Sequence, residues 1–397
     1  MSNKRGFSDR GAFGVAEREG RETGLPARVA VIYGGPSPEH DVSVLTGLQA
    51  VHALQRAPGV NGVRSLYWSK SGDWYEVPAA TEAAGFLEGV PSSALRLKLI
   101  SGPGGGFVRP GSGLRARESR LEIDAAVICC HGGPGEDGSL QGALDLTGLP
   151  YTGPTAAGAA LGMDKLAFAA LVVYAGLPAL ARVPLDDKSG EPPFAPPYIL
   201  KPRFGGSSIG IEVVADFETA RARLMANSHL RRGAVLEPYH EEMFDLQLAA
   251  RSWPELQLSA IERPLRTRQG GEILGYQDKY VGSEGMTSAP RELPADIEPA
   301  LAERIYELAT EVASITGLRG VARIDFLSDG EDLFINEINT IPGSLSHYLW
   351  IDPRLPLATL LTDLLAEATA RPAAVYSAAG SDGSVLRVAG SIASKLG

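Results

Sequence analysis

Cysteine is almost missing from this 397-residue chain: there are two, Cys129 and Cys130, side by side. A disulfide framework and a multi-cysteine zinc site are both excluded. The surrounding run AAVICC reads as a buried strand in which cysteine packs as a small apolar residue. Histidine is scarce too, at six residues, and His52, His229 and His240 have no histidine or cysteine partner at metal-ligand spacing, so they read as surface or capped positions. Positive charge falls short of negative, 37 Lys+Arg against 47 Asp+Glu, for a balance of −10. A nucleic-acid binder needs a basic face, and only the first 28 residues look Arg-rich, interleaved with acids; nor do the four tryptophans sit among basic residues in a base-stacking pattern. The most apolar stretch, residues 166–181, is shorter than a membrane span and holds Gly176 and Pro178. The N-terminus lacks the apolar segment of a signal peptide, so residues 1–27 are expected as a disordered extension and the protein as soluble and cytoplasmic.

What is present is an ordinary globular composition, 44% hydrophobic and 21% charged, long enough for two or three domains. Residues 28–33 (RVAVIY) form a short β-rich run that ends in GGPSPEHD and opens into a segment with Val44, Leu48, Val51 and Leu54 at helical spacing. IDAAVICC, HGGPGEDGS and LQGALDLTG repeat that strand, glycine loop and helix, with a short strand expected at LPYTG. Two such units predict a parallel α/β sheet working at its strand C-termini, with the Gly/Pro-rich ISGPGGGFVRPGSG as a joining loop. From Asp164 an Ala/Leu-rich helix and a Pro-rich linker lead to YILKPRFGGSSIGIEVV, a hairpin, and to a helix over DFETARARLMAN. AVLEPY, LQLAARS, LQLSAIERPL and GVARIDFLSDGEDLFINEIN follow as strands of an antiparallel sheet, interrupted by a helix that begins around Pro294 to Asp296 and closes at Gly317.

Two familiar patterns occur by accident. Gly133 to Gly138 matches GxGxxG after a strand, but Glu136 and Asp137 would lie where a dinucleotide needs its pyrophosphate. Gly206 to Gly210 matches GxSxG, yet a second strand follows where a hydrolase needs a helix. The hairpin GVARIDFLSDGEDLFINEIN carries more. Arg323 and Asp325 share one strand face, Glu337 and Asn339 share one face of the next, and Asp325 can lie across from Glu337. Facing carboxylates repel unless a cation or proton sits between them, and two carboxylates beside an amide carbonyl suit Mg²⁺. Arg323 could then neutralise an oxyanion or phosphate; the alternative is a solvated face with a structural salt bridge. Lys201, at the end of an apolar strand before Gly205-Gly206-Ser207-Ser208, makes either an anion cradle or an ordinary turn. Beside a candidate Mg²⁺ hairpin, a nucleotide phosphate is the better reading.

The motifs GGPSPEHDVS, HGGPGEDGSLQGALDLTGLPYTG, MDKLAFAALVVYAGLP, ILKPRFGGSSIG, DKY, RIDF and NEINTIPG occur in one order over roughly residues 28–370, and in them the chain resembles the D-alanine:D-alanine ligases of the ATP-grasp superfamily. The resemblance implies an α/β fold, α+β in its C-terminal part: an N-terminal domain (28–163), central and C-terminal ATP-grasp subdomains (164–236, 237–372) and a tail (373–397), with ATP between the subdomains. It implies that Lys165, Lys201 and the Ser208 loop meet the ATP phosphates, with Lys279 near the γ-phosphate, and that Glu237 holds the adenine amino group. Asp245, or Glu242 as the fallback, would hold the ribose, and Asp325, Glu337 and Asn339 would bind two Mg²⁺. Glu39 would meet the first amino acid's ammonium, with His131 nearby, and would form a polar link with Ser207 and Tyr280. Residues 275–286 would close as a lid. The implied chemistry activates the carboxylate of one D-alanine as an acyl phosphate, which the amine of the second attacks through an oxyanion stabilised by Arg323 and the Gly343 N–H.

Some residues depart from the family pattern. Tyr348 stands where the family usually has a small hydroxyl residue, which with the following leucine, here Leu349, holds the second substrate's carboxylate. Either Tyr348 reshapes that pocket, which admits a different acceptor, or it turns away. Gly205 replaces a frequent glutamate in the serine loop. The expected partners are small amino acids, with neither nucleic acid nor membrane, and a homodimer is the family's common assembly.

Overall fold

The computed structural model describes residues 24–111, 117–265 and 290–389. Most of the expected extension, the end of the tail, and the expected lid with Lys279 and Tyr280 lie outside the described residues.

Strand β1 (Arg28–Gly34) is buried from its second residue onward, as suits the middle of a sheet covered on both faces. It pairs in parallel with β2 (Gly62–Trp68) and, on its other side, with β7 (Ala125–Ile128). Helix α1 (His40–Leu54) closes tightly over β1, because a Cβ on Gly47 would stand 2.3 Å from the Tyr33 ring. Among the described residues, parallel ladders are confined to these three strands. β3 (Trp74–Val77), β4 (Leu95–Ile100), β5 (Gly106–Arg109) and β6 (Ser119–Arg120) extend the sheet antiparallel, in the order β6-β5-β4-β3-β2-β1-β7. Connection length decides two of these pairings, since the short links 69–73 and 101–105 close hairpins, whereas a parallel crossover needs about a dozen residues or more; the longer link 78–94 leaves the β3–β4 direction to packing. The expected joining loop therefore contains β5, and LPYTG supplies one bridge, Tyr151 opposite Ala126, since Pro150 has no N–H to extend a ladder.

A single turn, α2 (Gly133–Glu136), then α3 (Ser139–Thr147), α4 (Ala156–Met163) and α5 (Lys165–Tyr174) lead to a second sheet. Its strands β8 (Val183–Leu185), β9 (Tyr198–Pro202), β10 (Glu212–Val214) and β11 (Ala234–Pro238) run in the order β10-β9-β11-β8. Asp216 caps α6 (Phe217–Ala226) beside it, accepting from the Thr219 N–H. The third sheet comprises β12 (Phe244–Arg251) and β13 (Gln257–Leu258) with β16 (Val321–Ser328) and β17 (Leu333–Asn339), in the order β13-β12-β16-β17; two-residue strands β14 (Arg263–Pro264) and β15 (Arg291–Glu292) pair beside it.

Helix α7 (Pro299–Thr316) lays Leu301, Ile305, Leu308 and Val312 on the third sheet and ends at left-handed Gly317. It starts later than expected, because the Ala295 N–H is spent on the Ile261 carbonyl and Pro299 can occupy a first helical turn without an N–H to satisfy. Helix α8 (Leu357–Ala370) does not stay with the third sheet. Its Leu360, Leu361, Leu364 and Leu365 join the apolar core of β1, β7 and α1.

Candidate active site

A cleft open to solvent lies between the second and third sheets. Lys165, Lys201, Ser208, Asp245, Asp325 and Glu337 line it. Of the two ribose candidates, Asp245 is part of this lining, whereas Glu242 is exposed beside His240 at 3.7 Å.

The acidic face depends on an irregularity in β17. From the turn outward Ser328, Leu327 and Phe326 oppose Leu333, Phe334 and Ile335; a bulge then intervenes, and Asp325 opposes Glu337. Without that extra residue Asn336 would stand across from Asp325, and Glu337 would turn toward the core. The bulge therefore sets acid against acid and brings Asn336 and Glu337 both to the cleft. Gln247 on β12 opposes Asp325 from the other side, and the next row is Ala249, Arg323 and Asn339. Cations answer the acids: Arg323 grips Asp325 through two bonds of 2.7 Å, and the Lys165 ammonium lies 3.3 Å from Glu337. Asn339 donates its amide to Asp325 at 3.0 Å.

Each lysine is placed by its own strand or helix. Asp164 caps α5 through the Leu166 and Ala167 N–H groups while pairing with Arg203 at 2.6 Å, which ties Lys165 to the segment following Lys201. Burial pushes the Asp164 carboxyl up, but Arg203 and those N–H groups hold it below its ordinary range. Lys165 also donates to the Gly205 carbonyl at 2.6 Å. Lys201 pairs with Glu237 at 2.7 Å, and Arg182 meets the same carboxylate at 2.5 Å. Glu237 has no exposed surface and lies beneath the cleft lining; burial raises its carboxyl, but Lys201 and Arg182 bring it below its usual value.

Ser207 and Ser208 occupy the turn between antiparallel β9 and β10, so no nucleophile elbow exists there. Among the described residues, left-handed backbone outside glycine occurs at these two serines and at Ser344, Leu345 and Ser346, all beside the cleft or its wall. Ser207 donates to Glu39, the residue preceding α1. Gly132, at φ +61°, makes room for that carboxylate, since a Cβ there would stand 2.3 Å from Glu39 Oε2. The Glu39–Ser207 half of the expected polar link is thus in place, and Tyr280 lies outside the described residues.

Behind Glu39 is a buried polar wall. His131 accepts from Thr46 through Nε2 at 2.8 Å and donates from Nδ1 to the Ile341 carbonyl at 2.7 Å, so both ring nitrogens are engaged within the protein. Burial, with a contribution from Arg323, pushes its pKa down to about 4, while the Ile341 bond opposes the shift. Glu136 accepts from the N–H groups of Gly132 and Ile341 at 2.9 and 3.0 Å; burial and the neighbouring Glu39 carboxylate push it up to about 8. The Ser344 N–H donates to Thr46 at 3.0 Å. These contacts hold the turn that carries buried Gly343. Leu349 is fully buried in the N-terminal core. The Tyr348 hydroxyl lies 3.5 Å from Gln247 Nε2, its ring centre is 4.8 Å from the Arg291 guanidinium, and Arg291 pairs with buried Glu262 at 2.8 Å.

Sequence reading missed two members of this arrangement. Glu136 was visible only as half of an acid pair that argued against a dinucleotide, and Arg182 carried no local signal, because its partners come from distant strands and a helix.

The description "D-ala D-ala ligase N-terminus" matches residues 28–154, and "D-ala D-ala ligase C-terminus" matches residues 189–359. This chain belongs to the D-Ala–D-Ala ligase family. A D-alanine–D-alanine ligase of Bradyrhizobium sp. (strain ORS 278) is 30% identical over 366 residues, covering 87% of this chain and 96% of that protein. One of Methylobacterium sp. (strain 4-46) is 32% identical over 376 residues, covering 87% and 92%. The solved D-alanine–D-alanine ligase of Coxiella burnetii superposes with a TM-score of 0.68 at 21% identity, covering 86% of this chain and 94% of that one, a likeness of fold. The family's ATP-grasp fold is the one implied by the motifs.

Proposed function

We propose that the chain is an ATP-dependent, ADP-forming ligase that joins two D-alanine molecules into D-alanyl-D-alanine for cell-wall peptidoglycan. The observation that carries this reading is the convergence of two lysines, a serine turn and opposed carboxylates in one cleft, with Glu39 of the N-terminal domain bonded to Ser207 of that turn. The names of the full-length relatives support D-alanine over another acceptor.

The acidic face fits Mg²⁺. Asp325 and Glu337 are directly opposed, the amide of Asn339 is adjacent, and the groups that compensate the acids here are themselves cations. Among the described residues no group of three or more His, Cys, Asp or Glu side chains could hold a metal, so the remaining ligands would be phosphate oxygens and water. Two Mg²⁺, when bound by Asp325, Glu337 and Asn339, supply charge neutralisation along the ATP phosphates.

The chain's own groups do the rest. Lys165, Lys201 and the N–H groups around Ser208 would hold the phosphates, and Asp245 the ribose. Glu39 would receive the first ammonium, aiming that substrate's carboxylate at the γ-phosphate. The Arg323 guanidinium, held on Asp325 here, would stabilise the oxyanion of the second step, sharing it with the Gly343 N–H. Tyr348 would border the second amino acid. The lid segment with Lys279 and Tyr280 would exclude water, which otherwise hydrolyses an acyl phosphate. No helix among the described residues is long and apolar enough to cross a membrane; a cytoplasmic homodimer completes the proposal.

Phosphate release from ATP and Mg²⁺, measured across D- and L-amino acids singly and in pairs with mass spectrometry of the products, tests the reading. Release with D-alanine alone and a dialanine product is expected; silence with D-alanine and product from another pair would overturn the substrate assignment.

A further inference from the structure

The carboxylate of Glu237 has no exposed surface, yet it is shared by two cations on opposite oxygens, Arg182 Nε at 2.5 Å and Lys201 Nζ at 2.7 Å. The two cations differ in where they stand. Lys201 lines the cleft, whereas Arg182, with a side chain 4% exposed, lies beneath it. Arg182 is also held elsewhere: Nη1 donates to the Lys165 carbonyl at 2.7 Å, and Nη2 to the Asn336 carbonyl at 3.3 Å and its side-chain oxygen at 3.4 Å. One guanidinium thus joins β11, the start of α5 and the bulge of β17. The arrangement has a consequence for Lys201. If Lys201 were the sole partner of Glu237, a phosphate could recruit the ammonium only by stranding a buried carboxylate, which is strongly unfavourable. With Arg182 in place the carboxylate stays neutralised when the lysine leaves.

We infer that Arg182 is a positioning residue that frees Lys201, retaining Glu237 so that the lysine can exchange its carboxylate for the phosphate of a bound nucleotide. The inference rests on the nucleotide reading of the cleft. It requires no movement of Arg182, whose other partners are the Lys165 carbonyl and Asn336.

Calorimetric titration of ADP and, separately, of adenosine separates this role from simple structural support. Arg182→Met is expected to weaken ADP binding about tenfold or more while changing adenosine binding less than about twofold, because Glu237 then retains Lys201. Arg182→Lys keeps a cation and is expected to restore ADP binding to within about threefold of the parent. Parallel losses of ADP and adenosine in folded Arg182→Met, or unchanged ADP binding, would overturn the inference. Should Arg182→Met fail to fold, Glu237→Gln carries the test: with Lys201 released, the preference for ADP over adenosine is expected to hold or rise, and a fall refutes the exchange. If the parent protein binds neither ADP nor adenosine, the nucleotide reading itself falls, a result distinct from any of these.

Discussion

Asp325 and Glu337 in the cleft are answered by charged groups, Arg323 and Lys165, whereas His131 and Glu136 in the wall behind Glu39 are answered mainly by backbone groups and a hydroxyl. The cleft acids remain partly exposed, with side chains 14% and 24% accessible, and the wall residues are sealed. Ion pairs at a partly wet surface exchange partners at modest cost, which is what the proposed exchange of these cations for a metal and a nucleotide requires. The wall is built to stay as it is. Its histidine is neutral near pH 7, and Glu136, raised toward pH 8, leaves the negative charge of that acid pair chiefly to Glu39, where an ammonium would need it.

This contrast can be broken from either side. Removing a cleft acid is expected to have the largest effect: Glu337→Gln should lower ADP formation by on the order of 10³-fold or more, the scale of losing a charged organiser of phosphoryl transfer, while the melting temperature stays within a few degrees. Near-normal turnover would refute the metal site. Arg323→Met comes next, with kcat reduced about 10²–10³-fold, as for loss of an oxyanion donor; a change confined to KM would assign the residue to ground-state binding instead.

Substitutions in the wall should read out in stability more than in rate. Because Glu136 holds its proton to a higher pH in the folded protein than in the unfolded chain, its contribution is full below the ordinary carboxylate range and is lost as pH rises toward about 8. His131 has the opposite sign: its folded value is depressed, so its contribution is present above about 6.5 and lost as pH falls toward 4. Between pH 5 and pH 8 the parent's urea midpoint should therefore drop relative to that of Glu136→Gln, with the histidine contribution common to both; parallel changes in the two proteins would show that Glu136 is ordinary. The smallest effect is expected at the border between the regions. Tyr348→Phe removes one neutral hydrogen-bonding group and should raise KM for the second amino acid by no more than about fivefold without altering the first step, a split visible when initial rates are fitted to two D-alanine sites.

The two regions also differed in how legible they were. Asp325, Glu337, Arg323 and Asn339 lie on one hairpin, so strand alternation alone put them on a shared face, and glycine-serine composition marked the Lys201 turn. Alternation did not reveal the bulge at Asn336, which depends on how β16 and β17 pair in the folded sheet. Glu39, His131 and Gly343 became candidates through motif resemblance, while the contacts that join them, His131 to Ile341 and Glu136 to the Ile341 N–H, span some two hundred residues and have no local period.

Local chemistry was enough for the strand, glycine loop and helix units, for the hairpins and for the apolar face of α7, since each follows from neighbours within a few turns of chain. Long-range packing settled the rest: the antiparallel extension of the first sheet, the return of α8 to the N-terminal core, the contacts of Tyr348 with Gln247 and Arg291, and the burial of Glu237 between Lys201 and Arg182. A side chain's charge is written in the sequence, but whether it meets water, a partner or another charge is set only when distant segments close around it.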